Sequence, residues 1–166
     1  MKKKGRYSKA MLWSVVAVGL LVAGGAGIYM YFNHIKPQED LKAQLEKDPP
    51  TGVTDDLAAM IADTHEQYNN LTGYGNIDGL DQDKAITLSK RVFKESGEAL
   101  KKGIVDKQLE DDMKTIHQLA KETSTNPDKE QVRLLHRYFH DLDIAVNRYK
   151  ETDTVFGVTE TLGKPE

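Results

Sequence analysis

Apolar positions along this chain fall into five stretches, parted by polar breaks rich in glycine, proline or aspartate. The first, residues 10–32, is 23 residues without a charge. As a helix it would extend about 34 Å, against a hydrocarbon core of roughly 30 Å. The other four recur at helical spacing. They are Leu57, Met60, Ile61, Tyr68 and Leu71; Ile86, Val92, Phe93 and Leu100; Leu109, Met113, Ile116, Leu119 and Ala120; and Val132, Leu135, Phe139, Leu142, Val146 and Tyr149. Start and stop signals agree with these limits. Thr54 precedes Asp55-Asp56, Asp81 or Asp83 can open the second helix, and Asp106 the third. Lys101-Lys102-Gly103 closes the second, and Thr123 to Pro127 breaks the third from the fourth. No segment alternates long enough for a strand; residues 154–159 come nearest, but Gly157 interrupts them. The pattern predicts an all-α chain, an N-terminal transmembrane helix followed by a small antiparallel three- to four-helix bundle.

The predicted domains are a basic stub 1–9, a signal-anchor helix 10–32, a connector 33–53 with a short helix at 38–47, a bundle 54–150 and a tail 151–166. Phe156 and Leu162 are the tail residues expected to pack back on the bundle. Lys2, Lys3, Lys4, Arg6 and Lys9 precede the apolar run, which places the N-terminus in the cytoplasm and the rest of the chain outside. Trp13 near one end and Tyr29, Tyr31 and Phe32 at the other suit the two interfaces. Cleavage near Gly25-Ala26-Gly27 is the rival reading, although it would leave an apolar, aromatic new terminus. Gly19, Ala23 and Gly27 form a small-residue stripe through which two such helices could pack as a homodimer.

Charge sharpens this division. The net −3 conceals +6 over residues 1–36 and −9 over residues 37–166. An acidic outer part is repelled by nucleic acid, which is excluded as a partner. The chain has no cysteine, which removes disulfides, thiolate metal sites and thiol catalysis.

Candidate chemistry rests on histidine. His136 and His140 share one helix face with Asp143, a usable metal spacing. The apolar stripe of that helix centres near Leu135 and Val146, so both rings are expected to point to solvent and no metal site is expected. His65-Glu66 begins an H-E-x-x-H motif, but Asn69 stands where the second histidine belongs. His65 and His117 lie on the flanks of apolar stripes, where packed or hydrogen-bonded histidines are usual. The loop Gly73–Gly79 lacks the third glycine of a dinucleotide loop and the end ligands of a calcium loop. It reads as a helix stop and turn, with Tyr74 and Ile77 as candidate recognition residues. Glu110-Asp111-Asp112 is explained by favourable placement near a helix start. Asn70-Leu71-Thr72 is a glycosylation sequon, relevant only in a eukaryotic secretory pathway.

The anchor, the run Ile61-Ala62-Asp63-Thr64-His65-Glu66-Gln67 leading into Gly73 and Gly75, His140-Asp141-Leu142-Asp143-Ile144 to Asn147, and Phe156-Gly157-Val158-Thr159 together resemble a family of uncharacterised, N-terminally anchored small proteins of Gram-positive bacteria. The resemblance implies a helical external domain, with the glycine loop, His65 and the tail as a shared surface. The anchor, the modest helical domain and the lack of a convergent catalytic set point to protein–protein contact at the cell envelope, without catalysis or a cofactor. Tyr74, Ile77, His65 and Phe156 are the interaction candidates. The alternative is an external ligand- or metal-binding module, or a hydrolase, that uses the bundle histidines.

Overall fold

The computed structural model describes residues 42–43, 45–150 and 154–163, within a compact unit that spans Asp40–Glu166. The anchor at 10–32 and its Gly19, Ala23 and Gly27 stripe lie outside the described residues, as does Leu41 of the connector. Among the described residues no helix is long and apolar enough to cross a membrane.

Four α-helices form the bundle, and no strand occurs among the described residues. They are α1 (Asp55–Thr72), α2 (Gln82–Lys102), α3 (Lys107–Thr123) and α4 (Lys129–Asn147), with a 3-10 segment over Gly73–Gly79. Each α-helix starts at a side-chain cap. Thr54 Oγ1 accepts from the Leu57 amide, and Asp81, Asp106 and Asp128 do the same for the next three helices. These acceptors satisfy amides the helix leaves unpaired and place oxygen at the positive end of the dipole. α2 stops at Gly103, whose φ of 89° suits a residue without Cβ. Arg148 ends α4 in the left-handed region, at φ 59°.

The core unites the four stripes. Ile61 and Tyr68 of α1, Val92 of α2, Leu109, Met113 and Ile116 of α3, and Leu135, Phe139 and Leu142 of α4 are all fully buried. Burying each of the larger aliphatic side chains contributes about 1.5–3 kcal/mol. α1 packs closely on α4 and α2 on α3, whereas α1 and α2 meet only lightly. A second, smaller cluster joins Leu45, Ile144, Ala145, Tyr149, Val155 and Leu162. Lys47 Nζ donates to the Leu162 carbonyl at 3.3 Å and Arg148 Nη2 to the Lys47 carbonyl at 2.5 Å. The end of the connector, the end of α4 and the tail are thereby tied together.

The tail is fastened chiefly by two buried carboxylates. Asp141 accepts the Phe156 and Val158 amides, each at 3.0 Å. Asp112 accepts the Glu160 and Thr161 amides, each at 2.9 Å, and the Thr161 hydroxyl at 2.6 Å. This corrects the helix-dipole explanation of the acidic run. Glu110 and Asp111 do pair with Lys107 and Lys114 at the surface. Asp112 instead turns inward, only 3% exposed. Burial pushes its carboxyl up, and the bonds from Thr161 and Glu160 pull against that rise.

Gly52, just before α1, has a φ of 70°, and a Cβ there would lie 2.7 Å from Val105 Cβ. Gly52→Ala is expected to cost about 1–2 kcal/mol, from both the left-handed backbone and the overlap. A urea denaturation midpoint unchanged from wild type would contradict that.

Candidate functional site

Two short polar columns meet between α1 and α4. His65, Asn69 and Thr72 follow at four and three on α1, and His136, His140 and Asp143 do the same on α4. Such spacing sets each column on one face of its helix. Their contacts run in opposite directions. His65 Nδ1 donates to Asp143 Oδ2 at 2.8 Å, near the end of α4. Asn69 Nδ2 donates to His65 Nε2 at 3.1 Å, and His136 Nε2 donates to Asn69 Oδ1 at 2.7 Å. His136 Nδ1 lies 3.1 Å from Thr72 Oγ1, which donates to the Tyr68 carbonyl at 2.9 Å. Asp143 Oδ1 accepts from Asn147 Nδ2 at 2.8 Å, and the same amide reaches the Ala58 carbonyl.

Aromatic rings close the site. The His65 and His140 ring centres are 5.1 Å apart, His65 and His136 5.8 Å, and His136 and His140 6.3 Å. Tyr149 meets His65 edge-on at 4.9 Å, and Phe156 meets His140 at 4.7 Å. The Arg137 guanidinium lies 5.4 Å from the Phe156 ring centre. Burial, with His65, His140 and Arg137 close by, pulls the His136 ring down to about 4. It is neutral at pH 7.

Several expectations change here. His140 is only 5% exposed and His136 is partly buried, so neither ring points freely to solvent. The helical wheel assumed one buried face. From His140 to Ala145 six consecutive residues are buried, because α1 covers one side of α4 and the tail another. His65 is 2% exposed and Ile77 9%, so neither belongs to an exposed interaction edge; Ile77 joins the core. Phe156 stays on the surface at 36%. Tyr74 falls in the 3-10 segment, and its side chain lies outside the described set. His117 stands apart, stacked on Phe93 at 4.4 Å and bonded to Ser96 at 3.0 Å.

Among the described residues, no group of three or more histidine or acidic side chains is arranged to hold a metal. The reason for His136, His140 and Asp143 is visible in their partners. The Asn69 amide is inserted between His65 Nε2 and His136 Nε2, and both Asp143 oxygens already accept hydrogen bonds. Sequence reasoning missed Asn69, Thr72, Asp112 and Asp141. The signal available for the first two was the repeated four-and-three spacing on both helices.

The light contact between α1 and α2 leaves openings along their seam. A cavity of about 920 Å³ lies at the 3-10 end, lined by Gln67, Asn70, Leu71, Asn76, Thr87, Leu88 and Arg91 among others. A second of about 400 Å³ lies at the other end, over Leu57, Met60, Ala99 and Ile104, with Asp56, Asp63, Glu95 and Glu98 at its edge. Arg91 crosses the seam between them, from α2 to Asp63 Oδ2 at 2.8 Å and Thr64 Oγ1 at 3.0 Å. Behind this bridge the fully buried Tyr68 Oη and Ser89 Oγ form no hydrogen bond of good geometry. Burial pushes the Tyr68 phenol up, and Ser89 and Arg91 only partly counter it.

No protein-family model matches the sequence, and no curated protein or solved structure shows significant similarity to it.

Proposed function

We propose that the chain is a single-pass cell-membrane protein whose external helical domain acts through protein–protein contact, with the α1–α2 seam as the contact face. Residues 10–32 supply the membrane helix, the basic stub stays in the cytoplasm, and Gly19, Ala23 and Gly27 offer a homodimer contact. The observation that supports this face is the 920 Å³ cavity, where amide side chains of Gln67, Asn70 and Asn76 surround apolar Leu71 and Leu88. Amides can bond an incoming backbone while the apolar floor takes a side chain. The face thus moves from the loop edge at Tyr74 and Ile77 to the groove beside it.

The absence of native cysteine makes topology directly testable. Lys121→Cys in full-length protein should react in intact cells with a membrane-impermeant maleimide, and Ser8→Cys only after lysis. The reverse pattern would overturn the anchored reading. For the face, a photo-crosslinking residue at exposed Thr87 should give a discrete adduct that the same residue at exposed Lys121 does not. Equal adducts at both positions, or none at Thr87, would count against the groove.

The convergence of His136, His140 and Asp143 around His65 favours a second reading, a ligand- or metal-binding module or a hydrolase built on these rings. Stoichiometric zinc in purified full-length protein would place it first. Its cost is that Asn69 must be displaced from between two rings before they share a ligand.

A further inference from the structure

Five hydrogen-bond contacts connect Asp143, His65, Asn69, His136, Thr72 and the Tyr68 carbonyl in one line. Each contact requires one hydrogen. With Asp143 ionised and both imidazoles neutral, His65, the Asn69 amide, His136 and the Thr72 hydroxyl supply one each along the line. Four hydrogens serve five contacts. The deficit falls at Thr72, whose single hydrogen cannot go to both His136 Nδ1 and the Tyr68 carbonyl.

One added proton removes the deficit. Placed on His65, it lets Nδ1 donate to Asp143 and Nε2 donate to the Asn69 oxygen, with the amide turned over. The Asn69 nitrogen then donates to His136 Nε2, His136 Nδ1 donates to Thr72 Oγ1, and Thr72 donates to the Tyr68 carbonyl. The amide's two ends have nearly the same shape, so this reversal leaves the heavy-atom positions almost unchanged. All five contacts are then made, and the charge rests beside the Asp143 carboxylate.

We propose that this line is a one-proton store, loaded at His65 against Asp143 and read out at its far end as a change of tautomer at His136. His136 itself stays uncharged, because burial and the neighbouring His65, His140 and Arg137 all oppose a charge there. Among the described residues, the titratable or charged groups around the line are Asp143, His140, Asp141 and Arg137 on α4 and Tyr149 beyond it, and the uncharged Phe156 of the tail packs beside them. The far end is well placed to matter. Thr72 is the last residue of α1 and the cap of the 3-10 segment, whose Asn76 and Gly79 line the large groove. Proton uptake adds a His136-to-Thr72 hydrogen bond at this junction while Thr72 keeps its bond to the Tyr68 carbonyl. The store itself stands on the hydrogen count alone; regulation of the groove rests also on the contact-face reading above.

The test is ¹⁵N NMR of full-length, histidine-labelled protein in detergent micelles, from about pH 8 to about pH 5, with rings assigned by single His→Gln variants. The expected result is exchange of His136 from the Nε2–H to the Nδ1–H tautomer, with backbone amides of residues 73–79 shifting at the same midpoint. In Thr72→Val the extra hydrogen at His136 Nδ1 has no acceptor, so the exchange should move about one pH unit lower. A His136 tautomer unchanged over the whole range, or full conversion of that ring to imidazolium, would overturn the store. A tautomer exchange with silent 73–79 amides would keep the store and remove its link to the groove. Failure of crosslinking at Thr87 would leave the tautomer result untouched, so the two proposals fail separately.

Discussion

Asp141→Ala should release residues 155–162 from the bundle and cost about 3 kcal/mol of stability. The carboxylate is fully buried and accepts two tail amides as well as facing His140 Nδ1 at 3.3 Å. Removing it leaves both amides without their acceptor at a part-buried position. The tail can recover those bonds only by leaving, which uncovers Leu162, Val155 and Tyr149 of the second cluster. Hydrogen exchange separates this from a general loss of stability. The Phe156 and Val158 amides should exchange much faster under conditions where those of Leu109 and Ile116 stay protected. Uniform acceleration, or unchanged exchange at Phe156 and Val158, would show that Asp141 does not clamp the tail. Asp141→Asn should fall between, since it keeps one acceptor and turns a donor toward the other amide.

Acid should weaken the domain through His136. Its native value of about 4 lies below the ordinary 6.5 of an unfolded chain. Between those two values the unfolded chain binds a proton there that the native protein does not. Stability from this group is therefore complete above about pH 6.5 and is lost as pH falls through the window toward about 4. The full shift corresponds to roughly 3 kcal/mol, and about 2 kcal/mol is expected once the ring's exposed edge is allowed for. Asp112 works in the opposite sense, because its raised carboxyl disfavours the native state as pH rises through its range. Comparison with His136→Gln isolates the histidine. Urea midpoints at about pH 7 and about pH 4.5 should differ less in the variant than in wild type. Equal differences in the two proteins would rule His136 out as the source.

Helix existence and limits were legible because their causes are local. Local signals mark Thr54 and Asp106 as caps and leave Asp81 or Asp83 for α2; Thr54, Asp81 and Asp106 each accept the amides a cap should. Leu57, Val92, Ile116 and Leu135 were read from spacing alone and all lie in one core. The site was less legible. The wheel for α4 set His140 roughly opposite the apolar stripe, yet the ring is buried beneath Phe156 and beside His65. A wheel says which residues share a face, and it does not say how many faces are covered. Asp112 and Asp141 show the same limit. Nothing in a run of acids distinguishes a surface carboxylate from one that a later segment will cap with its own amides.

The sequence by itself determined an all-helical domain with four amphipathic helices, their caps and most of its core. It also carries the uncharged run and basic stub on which the proposed anchoring rests. Both are set by short-range periodicity, backbone satisfaction and local charge. Only the tertiary structure decided that His65, Asn69 and Thr72 meet His136 and Asp143, that two buried aspartates hold the tail, and that the α1–α2 seam stays open. Those features join residues from 15 to 78 positions apart, or depend on how closely two helices pack. They arise when amphipathic faces choose partners, a choice that the pattern within one helix does not contain.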